Sequence, residues 1–340
     1  MKIGDWDLDK EILIVAEIGN NHEGSYALAE KMIKLAAGAG AGAVKFQTFK
    51  TEHYVSRRDK ARFERLKSFE LTEAEFRRLN VAARDAGLLF LSTPFDIGSA
   101  RFLDSLVPAF KVSSGDNNFW PLLEVVALTG KPIILSAGLM DMEQITVARD
   151  FIRNIWRDGN IKQEMAVLHC VASYPVAPAE ANLLAINQLK ELGVTVGYSD
   201  HTLGIEAAVL SAALGARIIE KHFTLDKNYS EFRDHQLSAD PEEMARLVER
   251  VREVTLLLGT GEKVPQPGEK AVASQVRRAI VAGRDLPGKT VISREDITWV
   301  RPASGLPPGE EDRIIGKPLK RAVRMGEPIL PEMLGEEGEP

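Results

Sequence analysis

The sequence predicts an α/β protein, a closed (β/α)8 barrel followed by a small, mostly β C-terminal domain. Three observations predict it. Eight short apolar runs rich in β-branched residues recur up to residue 224, and longer amphipathic stretches separate them. The first run is not followed by the Gly-x-Gly-x-x-Gly turn that an open, doubly wound dinucleotide-binding sheet would carry. After LLLGTGEKVPQPGEK, which ends at residue 270, the pattern changes to brief apolar runs broken by Pro-Gly and Pro-Pro turns.

The runs are ILIVAEIG after Glu11, then AVKFQTF, LLFLSTPF, PAFKVSSG, PIILSAG, AVLHCVASYP, VTVGYSDHT and RIIEKHFT. SYALAEKMIKLAAGAG and TEAEFRRLNVAARDAG read as helices, each closing on glycine, and Thr72 with Glu75 three positions on forms a capping box. The barrel is placed at residues 1–262, a linker rich in Gly, Pro and charge at 263–275, and the β domain at 276–340. The final GEEGEP reads as a frayed tail.

The 340 residues, 44% apolar, suffice for a full-sized core. Lys and Arg number 43 against 49 Asp and Glu, a net charge of −6, which argues against a nucleic-acid partner. A single cysteine, Cys170, excludes a disulfide framework and a cysteine-rich metal site. The N-terminus is acidic where a signal peptide is basic, and no window approaches the ~20 apolar residues of a membrane helix, so a soluble, cytoplasmic enzyme without a membrane partner is expected.

Barrel enzymes carry their chemistry at the C-terminal ends of the strands, and polar residues collect there on every run. Glu17 closes the first, Lys45 and Gln47 the second, Ser92 and Thr93 the third, and Lys111, Ser113, Ser114 and Asp116 the fourth. Ser136 closes the fifth, Ser173 and Tyr174 follow the sixth, Ser199, Asp200 and His201 close the seventh, and Glu220 and His222 the eighth. Such groups are costly inside a barrel unless they meet a ligand, an ion or ordered water.

Residues two apart on a strand face the same way, which pairs Lys45 with Gln47, Ser199 with His201 and Glu220 with His222. His201 and His222 then stand on neighbouring strands, and two imidazoles with carboxylates nearby suit a borderline divalent cation such as Mn²⁺, Zn²⁺ or Fe²⁺. Lys45 and Lys111, with Thr93, Ser114, Ser136 and Ser199, would surround a phosphate and a carboxylate; the alternative is an internal salt network with Glu17 and Glu220. Lys221 is out of phase and is expected to face a helix or solvent. His22 and Glu23 stand in a loop that could reach substrate, Cys170 reads as a packed small residue, and His169 and His53 have no evident partner. Asp234 and His235 lie in a long loop after the last run, a lid that could carry one acid to the metal mouth.

Taken in order, AEIGNNHEG, VKFQTF, STPF, KVSSGDNNFWPLL, ILSAG, YSDHTLG and EKHFT resemble the sialic acid synthase family, the N-acetylneuraminate and related nonulosonate synthases. RPASGLPP and IIGKPLKR resemble that family's antifreeze-like, or SAF, domain, so the likeness runs from about residue 11 to 333. It implies a TIM barrel that condenses phosphoenolpyruvate with an N-acylated hexosamine such as N-acetylmannosamine to a nine-carbon 2-keto acid, releasing phosphate. By position it implies His201 and His222 as ligands of a divalent metal, usually Mn²⁺, with Mg²⁺ or Co²⁺ as alternatives. Lys45, Thr93, Lys111, Ser114, Ser136 and Ser199 match the phosphoenolpyruvate pocket, and Glu17, Gln47, Tyr174 and Asp234 match groups near the sugar or metal. Glu220 and Glu17 are the candidates to stabilise charge at C2. Arg301 matches an arginine that reaches the acceptor's N-acyl arm from a partner subunit, which implies a domain-swapped homodimer. Asp116 stands where many bacterial members carry Glu and Ala172 where they often carry Asn or Ser, which leaves the sugar open. The competing readings are a phosphoenolpyruvate–aldose phosphate synthase, a legionaminic, pseudaminic or spore-coat sugar synthase, and a sugar- or metal-binding protein without catalysis.

Overall fold

The computed structural model describes residues 1–335, so the frayed tail expected from the sequence lies outside the described residues from Glu336 on. The chain divides into two compact units, Met1–Gly259 and a second that begins at Thr260.

The first unit opens on a hairpin of β1 (Lys2–Ile3) and β2 (Trp6–Asp7). Eight parallel strands follow: β3 (Leu13–Gly19), β4 (Ala43–Thr48), β5 (Leu89–Pro94), β6 (Phe110–Val112), β7 (Ile133–Ser136), β8 (Met165–Cys170), β9 (Thr195–Asp200) and β10 (Ile218–His222). They run in the order β5-β4-β3-β10-β9-β8-β7-β6, and β5 lies against β6 to close the ring. A helix follows each strand, from Tyr26–Gly38 after β3 to Pro241–Leu258 after β10, with the Thr72–Glu75 capping box in place on Glu73–Asp85. Extra helices, Thr51–Tyr54 and Lys60–Phe69 after β4 and Arg233–Leu237 after β10, enlarge two connections on the C-terminal side.

The period of two divides each strand between two environments. Ile14, Ala16, Ile18, Val44, Phe46, Phe90, Phe110 and Val112 pack outward against the helices. Leu13, Val15, Ala43, Leu91, Ala109, Ile134, Ala166, Leu168 and Ile218 fill the lower barrel, where Met1, Ile3 and Leu8 of the hairpin join them as a plug. At Gly197 a Cβ would stand 2.4 Å from Leu168 Cδ2 and 2.5 Å from Ile218 O, so this layer has room only for glycine. Above it the same inward rows change to Glu17, Lys45, Thr93, Lys111, Ser136, Ser199 and Glu220.

Lys221 is buried rather than exposed and faces outward, where its Nζ donates to Asp200 Oδ2 at 2.9 Å and to Thr202 O at 2.5 Å. Asp200 Oδ1 accepts from Tyr198 and from the Thr202 amide, so the pair is fully bonded and ties β9 to β10 behind the two histidines.

The second unit pairs β11 (Ala279–Ala282) antiparallel with β12 (Ile297–Val300), and isolated bridges such as Leu286 with Val323 extend it around a core of Ile280, Leu286, Ile314, Leu319 and Ile329. The stretch expected as a linker overlaps the helix Pro267–Val276, and the unit boundary falls before it. Pro267 at the first helical position and Glu269, whose carboxylate accepts the Gln266 amide at 2.7 Å, explain why a Gly- and Pro-rich stretch turns helical. Among the described residues no helix is long and apolar enough to cross a membrane.

Replacing Lys221 with Met leaves the Asp200 carboxyl buried without its cation, and the cost expected is about 3–5 kcal/mol. Urea unfolding of the variant and wild type measures it; a change below about 0.5 kcal/mol would show that the pair does not hold the sheet.

Candidate active site

The polar strand ends open into a cavity of about 580 Å³ whose lining comes wholly from the first unit. Of the fifteen residues given a catalytic, substrate-binding or metal role, thirteen line it: Glu17, Lys45, Gln47, Thr93, Lys111, Ser114, Ser136, Tyr174, Ser199, His201, Glu220, His222 and Asp234.

Two do not. Asp116 stands beside the cavity, where its Oδ2 accepts the Ser113 hydroxyl at 2.5 Å and its amide donates to Ser113 O, so it shapes the turn after β6. Arg301 lies in the second unit, exposed immediately after β12.

A row of buried charges forms the cavity floor. Lys45 Nζ stands 2.8 Å from Glu17 Oε2, 3.5 Å from Glu220 Oε2 and 3.1 Å from Thr93 Oγ1. Lys111 Nζ stands 3.5 Å from Glu220 Oε1, which also accepts the Ser199 hydroxyl at 2.9 Å. Gln47 Nε2 donates to Glu17 Oε1 at 3.2 Å, and Asn20 Nδ2 donates to Gln47 Oε1 at 2.8 Å. The salt network weighed as the alternative to an anion pocket is therefore present, and the same lysines also face the cavity.

Two carboxylates close to one ammonium cannot ionise equally easily, and their surroundings separate them. Burial raises the Glu17 carboxyl above the ordinary range; Lys45 opposes this and the Glu220 charge adds to it. Burial works against Glu220 too, but Lys111, Lys45 and the Ser199 hydroxyl outweigh it and hold the carboxyl at about 2. Burial disfavours the charge on Lys45, yet Glu17 and Glu220 prevail and raise it. Lys111 is lowered by burial, with Glu220 only partly compensating.

The His201 and His222 rings stand with centroids 5.4 Å apart, and Tyr174 packs on both. His201 Nδ1 lies 2.9 Å from Val171 O, which fits a proton on Nδ1; in the neutral ring Nε2 then keeps the lone pair a metal needs. His222 Nδ1 is buried and has no hydrogen-bond partner. Burial, then the neighbouring His201 and Lys45, keep the His222 ring well below its usual pKa and so neutral. Two such imidazoles suit a borderline divalent ion. Among the described residues no group of three or more His, Cys, Asp and Glu side chains is placed to hold a metal by itself, so the remaining positions would fall to water and substrate.

Several lining residues escaped the sequence reading. Arg62, Arg65 and Leu66 come from the extra helix Lys60–Phe69, Phe232 and Arg233 from the loop after β10, and Asn20 from the loop after β3. The long connection between the second and third runs was the available signal for the first group. Cys170 also lines the wall, its Sγ 3.8 Å from His201 Nδ1. His169 faces away, bonded to Ala181 O at 2.8 Å, and His53 is exposed.

A closed α/β barrel with buried ammonium groups, paired carboxylates and two imidazoles at the C-terminal mouth belongs to the class of barrels that work on small anionic substrates. Residues 32–263 match the NeuB family and residues 277–335 the SAF domain. The chain belongs to the NeuB family. It is 45% identical, over 90% of each chain, to an uncharacterised protein of Methanocaldococcus jannaschii. It is 38% identical, over 93% of each chain, to an N,N'-diacetyllegionaminic acid synthase of Legionella pneumophila. A crystal structure of an N-acetylneuraminic acid synthetase from Leptospira borgpetersenii, in complex with citrate, superposes with a TM-score of 0.74 at 35% identity, covering 80% of this chain and 94% of that one.

Glu220→Gln removes the carboxylate that sustains the Lys111 charge. The pH at which Lys111 becomes half-reactive toward acetic anhydride, mapped by mass spectrometry, is expected to fall in the variant. An unchanged labelling profile would contradict the charge row.

Proposed function

We propose that this enzyme condenses phosphoenolpyruvate with an N-acylated hexosamine, N-acetylmannosamine or a relative, to a nine-carbon 2-keto sugar acid with release of phosphate. The single observation that carries the reading is the convergence of Lys45, Lys111, Thr93, Ser114, Ser136 and Ser199 with His201 and His222 in one cavity. The names of the legionaminic and sialic acid synthases to which the chain is similar support the same chemistry.

C3 of phosphoenolpyruvate bonds to the acceptor's aldehyde carbon, whose oxygen takes a proton. Water adds at C2, and the C2–O bond to phosphate breaks to leave the 2-keto group. The two protons of that water account for the new hydroxyl and for the departing hydrogen phosphate. Lys45 and Lys111 hold the carboxylate and phosphate and offset their repulsion. Glu220, which stays ionised, stabilises the positive charge that develops at C2. Glu17, held above the usual carboxylate range and oriented by Gln47, takes and returns the proton of the attacking water. His201 and His222 would hold a divalent ion, Mn²⁺ in our reading, which when bound supplies a Lewis acid toward the acceptor's aldehyde oxygen. Tyr174 and Asp234 face the acceptor, and Arg301 is read as the N-acyl contact contributed by a second copy in a homodimer. We read the enzyme as cytoplasmic.

Phosphate release, measured with phosphoenolpyruvate and Mn²⁺ against a panel of N-acylated hexosamines and arabinose 5-phosphate, tests this reading. Turnover with an N-acylated hexosamine is expected; turnover with the aldose phosphate alone, or with no acceptor, would contradict it. Lys111→Met is expected to lose turnover by about a hundred- to a thousandfold with the fold intact, the range of one displaced electrostatic contact. His222→Ala is expected to lose bound Mn²⁺, read by equilibrium dialysis, together with turnover; unchanged metal content would remove His222 from the ligand set.

A further inference from the structure

The loop between β10 and the helix Pro241–Leu258 presents Glu231, Phe232, Arg233 and Asp234 to the cavity. Its helix, Arg233–Leu237, is one short turn and has no intrinsic means of holding its place. What holds it is a buried polar clasp behind the cavity wall.

His235 has 0% exposure and is not part of the cavity lining. Its Nε2 stands 3.1 Å from Glu23 Oε1 and its Nδ1 2.6 Å from Thr224 Oγ1. Glu23 Oε1 also accepts the Ser230 hydroxyl. One carboxylate oxygen of the first βα loop therefore grips the β10 loop at residues 230 and 235, on either side of Arg233 and Asp234.

Glu23 adopts a φ of 45°, a left-handed conformation that costs a residue with a side chain on the order of 1 kcal/mol. Asn21, two positions earlier, donates from Nδ2 to Phe223 O at 2.9 Å and to Ser238 Oγ at 3.0 Å, and Ser238 in turn donates to Asp234 O at 2.5 Å. The side chains being placed are left available. Asp234 Oδ1 is buried and accepts no hydrogen bond, although Arg233 Nε lies 3.3 Å away, and the Arg233 guanidinium lies 4.9 Å from the Tyr174 ring centroid.

We infer that Glu23 and His235 are positioning residues that fix Arg233 and Asp234 at the cavity mouth and so set the affinity for the acceptor. The inference rests on the reading of Asp234 as an acceptor contact. Glu23 touches neither the lysines that hold phosphoenolpyruvate nor the two imidazoles, so its loss acts on one substrate only. The amide oxygen of glutamine accepts the same two donors, so Glu23→Gln retains the clasp without the charge.

The test uses the full chain with Mn²⁺, phosphoenolpyruvate and the best acceptor of the panel. Glu23→Ala is expected to raise the acceptor KM about tenfold, equivalent to about 1.4 kcal/mol. The phosphoenolpyruvate KM and Mn²⁺ affinity stay within about twofold, well under that step. Glu23→Gln recovers most of the acceptor KM. Hydrogen–deuterium exchange of residues 225–238 is expected to quicken in Glu23→Ala and return toward wild type in Glu23→Gln, whether or not the reaction runs. Unchanged exchange in Glu23→Ala would overturn the clasp. Equal rises in both KM values, or no rescue by glutamine, would overturn the assignment to acceptor positioning. If wild type turns over no N-acylated hexosamine, the functional reading fails, and the exchange result still decides whether the clasp exists.

Discussion

The structure depends on a row of charges that water cannot reach. Glu17, Lys45, Glu220 and Lys111 are each no more than about a twentieth exposed, and taking four such groups out of water is expensive unless each has partners. The barrel supplies them from adjacent strands: Glu17 stands in register with Lys45 across β3 and β4, and Ser199 with Glu220 across β9 and β10. The apolar plug beneath closes the lower end, so the row faces only upward, into the cavity. A floor of this kind is preorganised, because the charges are already held by one another and need little rearrangement to receive an anion. It also explains why the two carboxylates differ: Glu220 has two ammonium groups and a hydroxyl near it, whereas Glu17 has a single close cation and a like-charged neighbour.

Much of this was legible in the sequence because a strand has the simplest of periods. Once eight runs were recognised, reading every second residue toward the end of each run gave Lys45 with Gln47, Ser199 with His201, and Glu220 with His222, and the structure places all six in the cavity. The same period put Lys221 on the outer face, where it lies. It could not say that an outward lysine would be buried, because that depends on Asp200, its register partner on the neighbouring strand.

What the sequence hid lies in connections and in very short elements. The hairpin plug is made of two-residue strands, too short for any periodicity to register. Arg62 and Arg65 reach the cavity from a helix inserted after β4, and nothing in its own pattern says which way it points. Asp116 stands near the end of a polar run and reads as a ligand contact, yet the short turn after β6 directs it to Ser113. The clasp joins residues more than two hundred positions apart, and neither Glu23 nor His235 reveals its partner in sequence. The helix Pro267–Val276 was masked by the Gly and Pro around it, although its capping residues were visible.

The account stands on the claim that the lysine-bearing floor of the barrel is where the anionic substrate sits. A crystal structure of the protein with phosphoenolpyruvate measures this directly. The account predicts ligand density above the charge row, with carboxylate or phosphate oxygens within hydrogen-bond reach of both Lys45 Nζ and Lys111 Nζ. Density elsewhere, with the two lysines still engaged only by Glu17 and Glu220, would contradict it.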